Sequence, residues 1–210
     1  YGVVLEDNRR INAYADGANV IISTGLLDFV ESEEELALII SHEMAHNALD
    51  HVDSRRENAR SGAVSGLLID LLFGAAGIET NGEFTRAGMA AGAITYSIDY
   101  ENEADYVALY YMARAGVDVE PELADFWRRV ALIDPDSIDR RFTHPTLPER
   151  YVALRRTAAE IAEKDLAGIP LSPDFRGART VRAVTGDWPW LEPAAENDVT
   201  SDTAAAEARE

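Results

Sequence analysis

The clearest hydrophobic pattern in the chain lies between residues 31 and 51. Its apolar residues recur every four positions and form one face, which is typical of an amphipathic helix. They are Leu36, Ile40 and Met44. Ser32 is a favourable N-cap residue, and Glu35, three positions later, completes a capping box. The pattern therefore predicts a helix over the whole segment.

The residues before this helix read as two short strands, INAYADGANVIIST, with a hairpin turn at Asp16-Gly17 and an end at Gly25. The rest of the chain reads as helical up to Gly168, where the periodicity is lost. Further helices are predicted over residues 55–73, from about Thr85 to Arg114, from near Pro121, and over residues 146–166, where Thr146 and Glu149 form a capping box.

These elements predict an α+β fold that is mainly α, with a small antiparallel sheet beside the helix at 31–51. We expect one folded domain over residues 1–185. Residues 186–210 are acidic and rich in alanine and carry no apolar pattern, so they are expected to form a flexible tail.

One stretch of the second helix is unusually apolar. Residues 61–78, SGAVSGLLIDLLFGAAGI, carry a single charge at Asp70 and approach the length of a transmembrane helix. Four glycines interrupt the stretch, and a charge near its middle opposes a span. The pattern favours a buried helix or one that touches a membrane surface, so 61–78 is a candidate for membrane-surface association.

Composition narrows the range of functions. The 210 residues contain no cysteine, which excludes disulfides and thiol catalysis. The formal net charge of −19 argues against a nucleic-acid partner, because such proteins are normally basic. The chain begins at Tyr1 and runs directly into an apolar stretch, so we expect it to be a piece of a longer precursor whose signal or anchor precedes it.

Three of the four histidines lie within SHEMAHNALDH, residues 41–51. His42 and His46 are four residues apart, so a helix places both rings on one face, where they can bind one metal ion. Glu43 is displaced by about 100° around the axis, which suits a base acting on a water molecule at the metal. This is the HExxH arrangement, and zinc suits it because zinc lowers the pKa of its water to about 7.

A catalytic zinc ion needs a third protein ligand. His51 is nine residues after His42, about half a turn away on a regular helix, so a hydrogen-bonding or packing role is favoured for it. In YENEADY, residues 100–106, Glu101 and Asp105 share a helix face. One could bind zinc while the other accepts the N–H of a ligand histidine. On spacing alone, Glu103 is also a candidate.

Four segments, in order, resemble the M-forty-eight peptidase family, the HtpX-like and CAAX-prenyl-endopeptidase-like zinc metallopeptidases of the gluzincin group. The resemblance covers about residues 10–156, is strongest to the soluble quality-control branch, and implies a zincin-like fold. The segments are INAYADGANVIISTGLL, SEEELALIISHEMAHNALDH, YENEADYVALYYMARAGVD and FTHPTLPERYVALRR.

The resemblance assigns roles that spacing leaves open. It implies that Glu101 is the third ligand of a single zinc ion and that Asp105 accepts a hydrogen bond from His42. It also implies that the ANVIIST strand, with Asn19 and Val20, borders the cleft, so that substrate pairs alongside it as an added strand.

Two residues near the C-terminal end of the resemblance complete the expected site. His144, restrained by Pro145, is expected at the zinc, either donating to the oxyanion or blocking the open position at rest. Arg150 is expected to steady this region or to bind substrate, and a surface ion pair is its alternative.

The residues and the resemblance together predict a catalytic domain over 1–185 that acts as a zinc-dependent endopeptidase on unfolded or misassembled envelope or membrane-associated proteins. An extracytoplasmic location is expected. One alternative is a chaperone-like assembly factor that keeps the zinc site and cleaves little. Another is a membrane enzyme acting on prenylated or transmembrane substrates.

Overall fold

Three strands near the N-terminus form a small mixed sheet. The structure, a computed structural model, describes residues 1–94, 97–133 and 148–174. Strands β1 (Gly2–Glu6), β2 (Ala13–Ala15) and β3 (Asn19–Ser23) are ordered β1-β3-β2. β2 and β3 form the predicted antiparallel hairpin, whereas β1 runs parallel to β3. The sheet is therefore mixed and not purely antiparallel, because the N-terminal segment adds a strand that the sequence pattern did not reveal.

Helices make up most of the described chain, which confirms the predicted mainly α class. They are α1 (Thr24–Leu27), α2 (Glu33–Ala48), α3 (His51–Ala75), α4 (Glu83–Ile94), α5 (Ser97–Arg114), a short 3-10 turn (Pro121–Ala124), α6 (Asp125–Ile133) and α7 (Pro148–Leu166). The helix expected from Thr85 to Arg114 is described as α4 and α5, and residues 95–96 lie outside the description. Thr146 and the tail at 186–210 also lie outside it.

Ser32 caps α2 as predicted, since its hydroxyl accepts a hydrogen bond from the Glu35 backbone N–H at 3.2 Å. The second half of the predicted capping box differs. The Glu35 carboxylate accepts from the backbone N–H of Glu31, not from that of Ser32, and forms an ion pair with Arg129 of α6. The start of α2 is thereby tied to a distant helix.

The predicted helix over 31–51 is interrupted before its end. Helix α2 stops at Ala48, and Asp50 adopts a left-handed conformation with φ of 56°. His51 then opens α3. A left-handed residue costs about 1–2 kcal/mol for most side chains, and Asp is among the few that tolerate it. The break turns the His51 ring back towards α2, so the half-turn separation expected on one regular helix does not apply.

Helices α2 and α5 pack against each other in the core, with β3 and α7 on their flanks. The buried apolar residues that make this contact include Leu38, Ile39, Ala45, Ala104, Leu109, Met112, Val20, Ile22, Leu154 and Ile161. Side chains of α2 and α5 that point at each other are therefore removed from water.

Helices α3 and α4 form a hairpin whose backbones touch at glycines. A Cβ on Gly62 would lie 1.9 Å from the carbonyl oxygen of Gly88, and one on Gly66 would lie 1.9 Å from that of Phe84. Two of the glycines that interrupt the apolar stretch thus serve close helix packing.

The outer face of α3 is exposed, so of the two alternatives predicted for 61–78 the buried helix is wrong and membrane-surface contact stays a prediction. Its apolar side chains include Val64, Leu67, Leu68, Leu71 and Leu72, the last two exposed by 60% and 72%. Because α4 covers only the glycine-bearing side, these residues remain open to the surroundings. None of the helices in the described part of the chain combines the length and apolar character that a membrane crossing requires.

Candidate metal centre

Two buried histidine rings of α2 point at each other. Their spacing of one helical turn brings His42 Nε2 within 3.0 Å of His46 Nε2, and the side chains are only 1% and 3% exposed. The sequence spacing predicted this shared face.

Glu101 of α5 completes a three-residue cluster. Its Oε2 lies 3.2 Å from His42 Nε2 and its Oε1 lies 3.5 Å from His46 Nε2. Ligand atoms at Zn–N and Zn–O distances of about 2.0–2.1 Å in a tetrahedron are about 3.3 Å apart. The observed separations, which involve both oxygens of Glu101, are close to that edge length, and one donor atom from each of the three residues lies within 4.8 Å of the others. Two histidines and a glutamate are also a donor set found at catalytic zinc sites.

Asp105, one helical turn after Glu101, holds His42 from behind. Its Oδ1 lies 2.9 Å from His42 Nδ1, and the guanidinium of Arg150 donates to both of its oxygens at 2.7 and 2.8 Å. Burial alone would raise the pKa of Asp105, but the charge and hydrogen bonds of Arg150, together with His42, outweigh it and lower that pKa. An ionised Asp105 fixes the proton of His42 on Nδ1 and leaves Nε2 facing the cluster.

Arg150 of α7 is fully buried, so the alternative of a surface ion pair is wrong. Its Nη1 lies 3.3 Å from Glu101 Oε2, and its guanidinium carbon stands 4.2 Å from the centre of the Trp127 ring. These contacts join Glu101 and Asp105 through one cation. The steadying role of Arg150 stays a prediction, and its burial argues against direct contact with substrate.

The pKa of His42 reflects competing influences. Burial lowers it, but hydrogen bonds and charges from Asp105 and Glu101 outweigh burial and raise the pKa to about 9. A proton on His42 is therefore favoured at neutral pH when no metal is bound.

His51 packs against His46. Its Nδ1 lies 3.0 Å from His46 Nδ1, its Nε2 lies 3.3 Å from Glu103 Oε2, and its ring stacks on Tyr100 at 4.4 Å. Glu103, which spacing left open as a metal ligand, points away from the cluster in this arrangement.

Glu43 faces a cavity of about 220 Å³ beside the cluster. The cavity is lined by Glu43 and His46 of α2, by Tyr14 and Ala15 of β2, and by Arg55 of α3. Glu43 is buried, with 2% exposure.

The strand that lines this cavity is β2, and the expectation that substrate pairs alongside the ANVIIST strand does not fit the sheet. β3 is the central strand and is paired on both sides. Val20 has no exposed surface, and the backbone oxygen of Asn19 accepts a hydrogen bond from Asn47. The hairpin signal identified both strands but carried no information about which of them faces the helix.

Arg55 was not found by sequence reasoning. Its Nη2 donates to Glu101 Oε1 at 2.9 Å, and its side chain is 24% exposed at the cavity. It follows His51 by one helical turn on α3, a signal that only becomes visible once His51 is known to start a new helix. His144, predicted at the metal, lies outside the described residues.

The sequence model of Peptidase family M48 matches residues 2–158. A putative beta-barrel assembly-enhancing protease of Vibrio cholerae is 32% identical over 174 residues, covering 76% of this chain and 35% of that protein. The beta-barrel assembly-enhancing protease of Escherichia coli is 29% identical over 168 residues, covering 74% and 34%. The mitochondrial metalloendopeptidase OMA1 of Schizosaccharomyces pombe is 28% identical over 139 residues, covering 64% and 39%. The chain thus spans only about a third of the length of these relatives.

Proposed function

The chain belongs to Peptidase family M48, and from this premise we propose that it is a zinc-dependent endopeptidase that hydrolyses unfolded or misassembled proteins. The observation that carries the proposal is the buried cluster of His42, His46 and Glu101 beside Glu43 and an open cavity. One zinc ion per chain is held by the three residues of the cluster.

Different side chains of the protein have different roles in the proposed hydrolysis. When bound, zinc supplies Lewis acidity that polarises the substrate carbonyl and lowers the pKa of water to about 7. Glu43 accepts the proton of the attacking water and passes it to the leaving amine. Asp105 keeps His42 in one tautomer, and Arg150 holds Asp105 and Glu101 in place.

The substrate backbone is proposed to add to the edge of β2. Tyr14 and Ala15 of this strand line the cavity next to Glu43, and β2 lies at the end of the sheet order. An extended peptide paired there would present a carbonyl to the metal cluster. Arg55, which also lines the cavity, supplies positive charge beside Glu101. The proposal keeps His144 as a further donor to the oxyanion.

The first experiment compares wild type with Glu43→Gln in casein proteolysis and in zinc content. The amide is nearly isosteric but cannot accept the proton, so activity should fall by orders of magnitude while zinc is retained. Glu33→Gln is the matched control, because Glu33 is an exposed acid in the first turn of the same helix. Equal activity in Glu43→Gln and Glu33→Gln would refute the assignment of the base.

A second experiment tests the ligand. Glu101→Ala removes one of three protein ligands, so zinc content after dialysis should fall sharply while helical circular dichroism is kept. Zinc content equal to that of wild type would refute the assignment of Glu101 as a metal ligand.

A chaperone-like assembly factor is the second candidate, favoured by the relatives named as assembly-enhancing proteases. The two functions separate in the Glu43→Gln variant. If assembly of a β-barrel client in cells is supported by that variant as well as by wild type, the chaperone function carries the role. If assembly of the client is lost together with proteolysis, the peptidase function is responsible for it.

By the same analogy, misassembled outer-membrane β-barrel proteins are the proposed substrates and the extracytoplasmic space is the proposed location. The exposed face of α3 supports a membrane-surface partner. It is contiguous and apolar, and Arg60 lies one turn before Val64 at its start. Asp70 accepts hydrogen bonds from the backbone N–H and hydroxyl of Thr85, so its charge is satisfied within the hairpin.

Vesicle flotation tests this contact with phosphatidylethanolamine–phosphatidylglycerol liposomes. Leu68→Ser with Leu72→Ser should reduce binding, because each removes an exposed apolar side chain from the face. Val152→Ser is the control, since Val152 is exposed by 45% on a different helix. Binding that is equal in the double variant and the control would refute the membrane contact.

A further inference from the structure

A chain of hydrogen bonds leads from the second ligand histidine away from the metal cluster. His46 Nδ1 lies 3.0 Å from His51 Nδ1, and His51 Nε2 lies 3.3 Å from Glu103 Oε2. The side chains of all three residues are at most 4% exposed. We propose that Glu103 and His51 are positioning residues that fix the tautomer and orientation of His46 for metal binding.

The proton positions along this chain follow from geometry. His46 turns Nε2 towards His42 and Glu101, so its lone pair on Nε2 is the one offered to a metal. A neutral imidazole that uses this lone pair carries its proton on Nδ1. Two N–H groups cannot face each other at 3.0 Å, so His51 Nδ1 accepts that proton's hydrogen bond.

The same reasoning fixes the far end. If His51 accepts on Nδ1, its own proton resides on Nε2, where the nearest acceptor is Glu103 Oε2. The Glu103 carboxylate, which can only accept, therefore determines which atom donates in each hydrogen bond between it and His46. Glu103 acts on His46 through His51 in the way that Asp105 acts directly on His42.

The backbone places His51 for this role. The left-handed Asp50 ends α2 and lets His51 fold back on His46 from the first turn of α3. Tyr100 then holds the ring by stacking, with an interplanar angle of 18°. Tyr100 and Glu103 both belong to α5, the helix that also supplies Glu101. One helix thus provides a metal ligand and the acceptors that orient both histidine ligands.

A packing role for His51 would be satisfied by any flat ring of similar size, whereas the proposed role needs an acceptor on one side and a donor on the other. His51→Phe keeps the ring and removes both functions. His51→Gln keeps an acceptor and a donor on one planar amide. Glu103→Gln keeps an acceptor and removes the charge. Glu33→Gln, which changes an exposed acid of α2, is the control.

The inference rests on the proposed zinc site. Long-range ¹⁵N–¹H correlation spectra of the zinc-loaded protein test the zinc site and the positioning role of His51 separately. The chain has only four histidines, so each ring can be assigned. His42 and His46 should both carry a proton on Nδ1, and His51 should carry one on Nε2 only. If neither His42 nor His46 changes on addition of zinc, the metal site itself fails. If they bind zinc while His51 is protonated on Nδ1 or on both nitrogens, the positioning role alone is overturned.

Zinc affinity from chelator competition gives the second readout. His51→Phe should weaken binding by about 10–100-fold, as is typical for groups that orient a ligand histidine. His51→Gln should recover most of the loss, Glu103→Gln should lose less than His51→Phe, and the control Glu33→Gln should match wild type. Circular dichroism melting verifies that each variant is folded. Wild-type affinity in folded His51→Phe, or equal losses in His51→Phe and His51→Gln, would overturn the proposal.

Discussion

Zinc binding should release a proton from His42, and the number of protons released per zinc ion can be calculated from the pKa of that residue. In the metal-free protein Asp105 and Glu101 raise the pKa of His42 to about 9 despite burial. Zinc binds the neutral ring, so the proton must leave. At pH 7.5 about 97% of such a group is protonated, whereas a histidine with its ordinary pKa of about 6.5 is only about 9% protonated. Binding should therefore release close to one proton from this residue.

The same shift fixes the sign of the pH dependence. A raised pKa means that protons compete with the metal below about pH 9, so apparent affinity should rise with pH and level off above that value. Between pH 7 and pH 9 the expected gain is about 50-fold from this group alone.

Titration calorimetry at pH 7.5 in buffers of different ionisation enthalpy measures the proton count directly. Asp105→Asn removes a carboxylate that raises the pKa of His42, so the count should fall towards about 0.1. Asp28→Asn changes an exposed aspartate and should leave it unchanged. A wild-type count near zero, or a count that is equal in wild type and Asp105→Asn, would refute the reasoning.

Three further outcomes follow from the packing. Arg150→Met leaves two buried carboxylates without their shared cation and should destabilise the protein by about 3–5 kcal/mol, measured by urea unfolding. Gly66→Val places a Cβ against the Phe84 carbonyl, so amide exchange should accelerate in α3 and α4 while zinc content stays constant. Asp50→Val should lower the unfolding free energy by about 1–2 kcal/mol, whereas Asp50→Gly should not, because glycine tolerates the left-handed conformation.

Local pattern predicted the parts of the site that one helix determines. The shared face of His42 and His46 follows from the helical period, and the start of α2 follows from Ser32. The end of α2 could not be predicted in the same way, because the apolar pattern continues past Ala48. The helix ends there because the left-handed Asp50 turns the chain so that His51 contacts His46.

Contacts between residues far apart in the sequence could not be predicted from the local sequence pattern. The parallel partner of β3 is residues 2–6, and nothing in that short apolar run specifies its neighbour. The burial of Arg150 is equally invisible in sequence, because an arginine in an otherwise amphipathic helix normally faces water. It is buried here because Asp105 and Glu101, brought by another helix, satisfy its charge.

The balance of charge explains why the centre suits a divalent ion and why His42 holds a proton without one. Among the described residues of the cluster and its surroundings, four buried carboxylates belong to Glu43, Glu101, Glu103 and Asp105. Two arginines contact two of them: Arg55 pairs with Glu101, and Arg150 pairs with Glu101 and Asp105. A zinc ion held by the proposed ligands would place two positive charges beside these carboxylates. Without a metal, hydrogen bonds and charges from Asp105 and Glu101 outweigh burial and favour a proton on His42. The proposed affinity for a divalent metal and the raised pKa of His42 therefore share one cause, the carboxylates of Asp105 and Glu101 beside the ring.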